Sequence, residues 1–312
     1  MKKMTVISMI LVALLVISGC SNKTTTQTTE ATNVQTEVST ETTETIETIE
    51  TTESMDQDIL SAFEALGESE NIDLIQMSTY LSDNIDKVSA ETADLMLQLY
   101  EKVQMQLLPT YQDAFFGDSI QGILLTYSIE EIRQNQVKEE PVQALLTESV
   151  AVGYKMEAIE GTVAPYIDYG YFAAFAEYAT ESTGSFYKLM KIESDNPPQK
   201  DAALIIPWAD VLKRGLGFES YIKDNPGSFY EDRARMHLEG YEYLAINGSA
   251  NVPLFDYDSN EMVAEAKSAY MAFVGQGIQT EFATLIKTYV DLLESHDFIK
   301  TAEVEAFMSE FN

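Results

Sequence analysis

The chain has 312 residues, of which 51 are acidic and 19 are Lys or Arg, so its formal net charge is -32 at pH 7. This balance disfavours nucleic acid as a partner, because contact with phosphates needs a basic surface. It also disfavours adsorption to anionic lipid headgroups. Hydrophobic residues make up 45% of the chain, which is enough to build a core.

The reactive side chains that the sequence offers are few. It has one cysteine, Cys20, and two histidines, His237 and His296. A disulfide within the chain and a cysteine-based zinc site are therefore excluded. We expect no cofactor and no metal, and any acid–base chemistry would fall mostly to carboxylates.

The N-terminus has the pattern of an export signal. Lys2 and Lys3 precede an apolar run over residues 6–17, which is typical of a signal peptide and short for a membrane span. Residues 17–20 read Ile-Ser-Gly-Cys and resemble the lipobox of bacterial lipoproteins. The resemblance implies a signal peptide over residues 1–19 and a lipid on Cys20, which holds the chain to the extracytoplasmic face of the cell membrane. An ordinary secretory signal and an uncleaved anchor are the alternatives.

Residues 21–54 form a low-complexity segment with fourteen Thr, seven Glu and no aromatic residue. Glu recurs at every third position from Glu41 to Glu53. A helix would bring these like charges onto one face, and β-branched Thr is a poor helix former. We therefore predict that residues 20–54 form the lipidated Cys and a disordered tether, which averages about 30–35 Å from end to end.

Apolar residues at helical spacing predict an all-α, or nearly all-α, multi-helix domain over residues 55–312. Ser89 stands at an N-cap position before a helix over residues 90–107, and Asp118 and Ser259 also stand where N-caps belong. The predicted buried stripes are Leu74, Met77, Leu81 and Ile85; Val142, Leu145, Leu146, Ser149 and Val150; Met262, Ala266, Ala269, Tyr270 and Phe273; Phe282, Leu285, Ile286, Tyr289, Val290 and Leu293; and Val304, Phe307, Met308 and Phe311.

Three features interrupt the helical period. Alternation over residues 150–156, the pair Glu160-Gly161 and residues 162–167 predict a short β-hairpin. Residues 196–198 read Asn-Pro-Pro and break the chain, so we place a lobe boundary near residue 197. Residues 208–245 predict one helix–turn–helix unit, and no second copy at that period indicates a solenoid.

Two carboxylates near the hairpin are the candidate catalytic residues. Glu160 lies in the predicted turn and Asp168 follows the second strand. A pair of carboxylates could carry out general acid–base catalysis or hold a cation. Alternatively, both residues cap a turn and the following helix.

Four further residues are candidates for ligand binding: Tyr166, Tyr169, Glu193 and Asp195. The tyrosines belong to an aromatic run over residues 166–178 that could line a groove or, as is more common, pack in the core. Glu193 and Asp195 precede Asp201 in an acidic cluster that could hold a hard cation. Alternatively, this stretch is a helix end followed by an N-cap at Asp201.

The remaining charged candidates favour structural interpretations. His237 shares a stripe with apolar residues, which predicts a packed, hydrogen-bonded ring, and His296 has no evident partner. We expect the scarce cations Arg214, Arg233 and Arg235 to pair with nearby carboxylates. Residues 256–260 begin like a calcium loop but lack its glycine and its final glutamate.

A second resemblance covers about residues 153–255. Glu160-Gly161, residues 167–169 and 193–195, and the stretch over residues 251–256 are similar to a group of uncharacterised extracytoplasmic proteins of Gram-positive bacteria. This resemblance supports the extracytoplasmic placement and implies no activity. From the sequence as a whole we predict a membrane-anchored, non-catalytic binding or interaction module, with an envelope protein or a wall polymer as its partner. The alternative is a carboxylate-dependent hydrolase of wall glycan or peptide. A solute receptor is disfavoured, because alternating strands and helices are missing.

Overall fold

A computed structural model describes residues 41–311 of the chain and their side chains from residue 54 onward. The predicted signal peptide, Cys20 and the predicted tether up to residue 40 therefore lie outside the described residues. From Ile46 onward the chain forms one compact unit. None of the described helices combines the length and the low polarity that crossing a bilayer requires.

The described chain is mostly helical, with two small antiparallel strand pairs, as the apolar spacing predicted. The elements are α1 (Glu41–Gly67), α2 (Leu74–Asn84), a 3-10 turn (Ile85–Lys87), α3 (Ala90–Phe115), α4 (Asp118–Leu124), α5 (Ile129–Arg133), α6 (Glu140–Ala151), β1 (Tyr154–Ile159), β2 (Thr162–Ile167), α7 (Tyr169–Ala173), α8 (Glu181–Asp195), β3 (Gln199–Lys200), β4 (Ala203–Leu204), α9 (Trp208–Asp224), α10 (Glu231–Asn247), α11 (Ala264–Val274), α12 (Glu281–Ser295) and α13 (Ala302–Ser309).

The first helix begins earlier than the predicted domain. α1 starts at Glu41, inside the Thr/Glu segment. Its C-terminal part packs into the fold, where Phe63 is buried and the Asp56 carboxylate accepts a hydrogen bond from the backbone N–H of Ser89. Once this part is fixed, each further residue toward the N-terminus adds a hydrogen bond at little extra cost in nucleation.

The predicted helical stripes are largely buried. Leu74, Met77, Leu81 and Ile85 are all at most 2% exposed. Ser89 caps α3 by accepting from the backbone N–H of Thr92, as its position predicted.

Three of the residue-level predictions for the helices were wrong. Val150 is 57% exposed, because it lies on the outer face of α6. Asp118 is the first residue of α4, and Gly117 occupies the cap. Ser259 begins no helix, since its hydroxyl donates to Asp256 within a turn.

The predicted β-hairpin is present, with Tyr154 opposite Ile167 and Ile159 opposite Thr162. Glu160 and Gly161 have φ values of 50° and 79°, which suit the two central positions of a type I′ turn. The strand begins at Tyr154 rather than at residue 150, because α6 continues through Ala151. Alternation of apolar residues at the helix end was mistaken for the start of a strand.

The Asn-Pro-Pro break at residues 196–198 ends α8, and helices on both of its sides share one hydrophobic cluster. A smaller cluster lies under the hairpin and the helices α4 to α6. We had expected Asp201 to cap a helix, and this prediction was wrong. Asp201 lies with Ala202 in the turn between β3 and β4, where both have positive φ, and Pro207 precedes α9 instead.

Two glycines in α9 give a paired prediction about packing. A Cβ on Gly215 would lie 2.8 Å from Cε2 of Phe282, whereas a Cβ on Gly217 would meet Leu189 at an ordinary 3.5 Å. We expect Gly215→Ala to destabilise the fold by about 1–2 kcal/mol, because the ring must shift. Gly217→Ala should stabilise by about 0.5–1 kcal/mol through helix propensity. Urea unfolding of the two variants measures both signs, and equal effects would contradict the packing argument.

Candidate binding groove and buried polar networks

The inner face of α10 carries three polar residues at intervals of four: Arg233, His237 and Tyr241. This spacing places them one above another along the helix. The first of them contacts the buried carboxylate of Glu101 from α3, and the last contacts that of Glu193 from α8. Two buried polar networks are therefore connected through one helix.

Glu101 is only 3% exposed and accepts four hydrogen bonds. Arg233 Nη1 donates to Oε1 at 2.6 Å, and the Tyr169 hydroxyl donates to the same atom at 2.8 Å. The hydroxyls of Tyr230 and Tyr187 lie at 3.0 and 3.3 Å from Oε2 and also contact each other. Burial, followed by the Glu101 charge, raises the pKa of all three tyrosines, so they remain neutral donors.

Aromatic rings surround the guanidinium of Arg233. Its centre lies 5.0 Å from the ring centroid of Phe186 and 5.5 Å from that of Tyr230. These distances fit cation–π contacts, which add to the ion pair with Glu101. The side chain of Arg233 is still 30% exposed, so the network reaches the surface at this residue.

The second network holds Glu193, which is 8% exposed. The Tyr241 hydroxyl donates to Oε2 at 2.5 Å, and Arg214 Nη1 lies 3.3 Å from Oε1. Arg214 also donates to the carbonyl of Asn196 at 2.8 Å. Burial raises the pKa of Glu193, and the contacts with Tyr241 and Arg214 oppose this rise without cancelling it.

His237 lies between the two networks, and its ring stacks on Phe218 with centroids 4.7 Å apart and planes 8° from parallel. Burial, and then the positive charge of Arg233, lower its pKa, which favours the neutral ring. The prediction that the His237 ring packs against other side chains is confirmed. The hydrogen bond we expected is not found among the described residues.

A cavity with a volume of about 460 Å³ lies between α8 and α9, and Glu193 and Arg214 lie in its wall. A second cavity of about 400 Å³ continues it and shares Leu189, Ile192 and Gly217. We call the two together the α8–α9 groove. Its residues are Glu181, Ser185, Lys188, Leu189, Ile192, Glu193, Asp195, Asn196, Asp210, Lys213, Arg214, Gly217, Phe218, Tyr221, Asp224 and Asn225.

The groove has an apolar centre and charged walls. Ile192 is 48% exposed within it, and Gly217 has no side chain to fill it. Lys188 on α8 and Lys213 on α9 are exposed and form no ion pair within residues 54–311. By contrast, Arg214 forms an ion pair with Glu193. The groove therefore contains one paired cation and two lysines whose charges could contact a ligand.

The two candidate catalytic residues are not brought together. Glu160 lies in the hairpin turn, and Asp168 lies beyond the other end of β2, so roughly 20 Å of strand separates them. The Asp168 carboxylate accepts from the backbone N–H of Gly170 at 2.8 Å and caps α7. Asp168 is therefore a helix cap, as the alternative interpretation proposed. Glu160 and Asp168 are too far apart to act on the same substrate atom.

Two of the four ligand-binding candidates, Glu193 and Asp195, lie in the wall of the α8–α9 groove, and the two tyrosines lie outside it. Tyr169 and Glu193 are buried in the two separate networks described above. Tyr166 lies half-buried in β2. Asp195 is exposed at the end of α8, where it pairs with Lys191 and lies 3.6 Å from Lys155.

Glu101 was missed at the sequence level, although a signal existed. It occurs in the buried stripe of α3 that contains Leu97, Tyr100 and Gln104. A glutamate within an apolar stripe needs a partner, because burial of an unpaired charge is costly.

The expected pairing of the scarce arginines is confirmed. Arg214 pairs with Glu193, Arg233 with Glu101, and Arg235 with Glu231 one turn earlier on α10. His296, for which we saw no partner, lies 3.2 Å from Glu303 across the turn between α12 and α13.

Residues 256–260 form a turn in which Asp256 Oδ1 accepts from the backbone N–H groups of Asp258 and Ser259, at 3.0 and 2.9 Å. The carboxylate thus bonds to its own loop. Among the side chains described from residue 54 to residue 311, no three or more His, Cys, Asp or Glu are arranged to hold a metal ion.

No protein-family profile, curated protein or solved structure matches the chain. The resemblance over residues 153–255 therefore stays a prediction.

Proposed function

We propose that the chain is a lipid-anchored extracytoplasmic protein that binds a peptide segment in the α8–α9 groove. The groove is the observation that carries the proposal. Its volume is in the range of ligand pockets, and its apolar centre with a few placed polar groups is the usual composition of such sites.

The form of the groove favours a peptide. An apolar side chain of the ligand fits over Gly217, beside Ile192 and Leu189. Lys188 and Lys213, on opposite walls, supply ammonium donors for backbone carbonyls or carboxylates of the ligand. The Glu193–Arg214 pair fixes the wall beside it, because both charges are already bonded.

The lipobox-like residues 17–20 support the placement. A diacylated Cys20 would supply two acyl chains, and each buried methylene contributes about 0.8 kcal/mol to membrane binding. The Thr/Glu segment would then allow the folded part to reach ligands at some distance from the bilayer.

Photo-crosslinking tests the binding proposal. A photoreactive phenylalanine is placed at Ile192 in the groove or at Ile205 outside it, and both positions are 48% exposed. Irradiated cell envelopes should give discrete peptide adducts from position 192 and none from position 205, as measured by mass spectrometry. The same adducts at both positions, or none at position 192, would refute groove binding.

Cys20→Ser tests the placement separately. We expect the wild-type chain to fractionate with membranes and the variant to be released or to remain unprocessed. Unchanged membrane retention and unchanged mass would refute lipid anchoring.

A further inference from the structure

A cavity of about 290 Å³ lies between α3 and α6, where the larger and the smaller hydrophobic clusters meet. We call it the α3–α6 cavity, and it shares no residue with the α8–α9 groove. Its apolar walls are formed by Leu107, Ala114 and Phe115 of α3, Leu145 of α6, and Ile72 in the loop before α2. No basic residue of the described chain lies in its wall. This composition suits an uncharged ligand.

Ser149 of α6 is a buried polar residue in this wall. It is only 1% exposed, and its hydroxyl forms no hydrogen bond with any group between residues 54 and 311. A serine or threonine within a helix commonly bonds to the carbonyl four residues earlier, as Thr147 does with Gln143 on the same helix. Because a buried hydroxyl without a partner costs stability, a polar group of a ligand that reaches Ser149 would recover this free energy.

We propose that the α3–α6 cavity binds a neutral, apolar molecule of two fused rings that carries one hydroxyl, and that this hydroxyl forms a hydrogen bond with Ser149. Burial of the rings against the apolar walls supplies most of the affinity. A cavity of about 150 Å³ holds benzene, so a volume of about 290 Å³ has room for two rings. The Ser149 hydroxyl can donate or accept, and a hydroxyl of the ligand matches it in either role.

The charges around the α3–α6 cavity disfavour an anionic ligand. Glu148 is exposed at the edge of the cavity, and the Tyr111 hydroxyl lies 3.5 Å from its Oε1. Burial, and then the Glu148 charge, raise the pKa of Tyr111 to about 12, so this phenol stays protonated and adds no second negative charge. A buried carboxylate of a ligand would find no cation in the wall, and one hydroxyl does not offset the cost of burying that charge. The ligand is therefore neutral.

A pair of probes and a pair of serine variants test the hydrogen bond. 2-Naphthol carries the hydroxyl and naphthalene lacks it, so the ratio of their dissociation constants, measured by equilibrium dialysis against the full chain, isolates that group. The wild type should bind 2-naphthol about three- to tenfold more tightly than naphthalene. In Ser149→Ala this preference should disappear or reverse, because the hydroxyl of the probe is then buried without a partner. Ser268→Ala removes a hydroxyl that bonds to its own helix, α11, and should keep the wild-type ratio.

A matched alanine pair locates the site. Ala114→Trp places a large ring in the wall of the α3–α6 cavity and should abolish binding of both probes, whereas Ala144→Trp, on α6 outside the cavity, should leave it unchanged. Both alanines are exposed, so both variants are expected to fold. Equal affinity of the wild type for the two probes, or no binding of either, would overturn the proposal. So would an unchanged preference in Ser149→Ala, or binding that survives Ala114→Trp.

Discussion

Replacing Glu101 by Ala is expected to lower the free energy of unfolding by about 3–5 kcal/mol, because it leaves several buried donors without their acceptor. Arg233 would lose its counter-ion. The three hydroxyls that donate to Glu101 would lose their acceptor; they belong to Tyr169, Tyr187 and Tyr230. Removing one partner from a buried network leaves the other groups buried without a partner. The loss of stability is therefore larger than the net stabilisation that the intact network provides. Urea unfolding followed by far-UV circular dichroism gives the measurement.

Two further variants separate charge from shape. Glu101→Gln keeps the volume but offers one acceptor oxygen, so it should fall between the wild type and Glu101→Ala. Lys102→Ala changes the exposed neighbour on the same helix and should change stability by no more than about 0.5 kcal/mol. A loss below about 1 kcal/mol in Glu101→Ala would mean that water or repacking replaces the missing carboxylate.

The parts of the fold that local patterns specify were predictable. The period of α12, the capping residue Ser89 and the Glu160-Gly161 turn each follow from a few consecutive residues. The pairing of each arginine with a carboxylate also followed, because few cations occur among many acids. The partner of each arginine could not be predicted, since it depends on which helices pack together.

The candidate site could not be predicted from the sequence, because it is formed by residues that are far apart along the chain. Glu101 and Arg233 are 132 residues apart, and nothing near either residue identifies the other. The α8–α9 groove likewise depends on the packing of two helices and on the small residue Gly217 of α9 in its wall. Sequence spacing instead suggested Glu160 and Asp168, which are close along the chain but lie at opposite ends of a strand.

Replacing Arg214 by Met should reveal the buried carboxylate of Glu193 through the pH dependence of stability. Burial already raises the pKa of Glu193, and loss of the Arg214 charge should raise it further. Between the ordinary pKa of Glu and this raised pKa, the folded chain retains a proton that the unfolded chain releases. The free energy of unfolding must therefore fall as pH rises through that window.

We expect Arg214→Met to cost about 3 kcal/mol at about pH 7.5 and clearly less at about pH 5, where Glu193 can be protonated. The double variant with Glu193→Gln should recover part of the stability at the higher pH and lose the extra pH dependence. Arg235→Met, which breaks an exposed pair, should show little change at either pH. Urea unfolding at both pH values measures these differences. An equal loss in Arg214→Met at the two pH values would mean that its cost arises from packing and the Asn196 contact, and that Glu193 keeps its charge without the arginine.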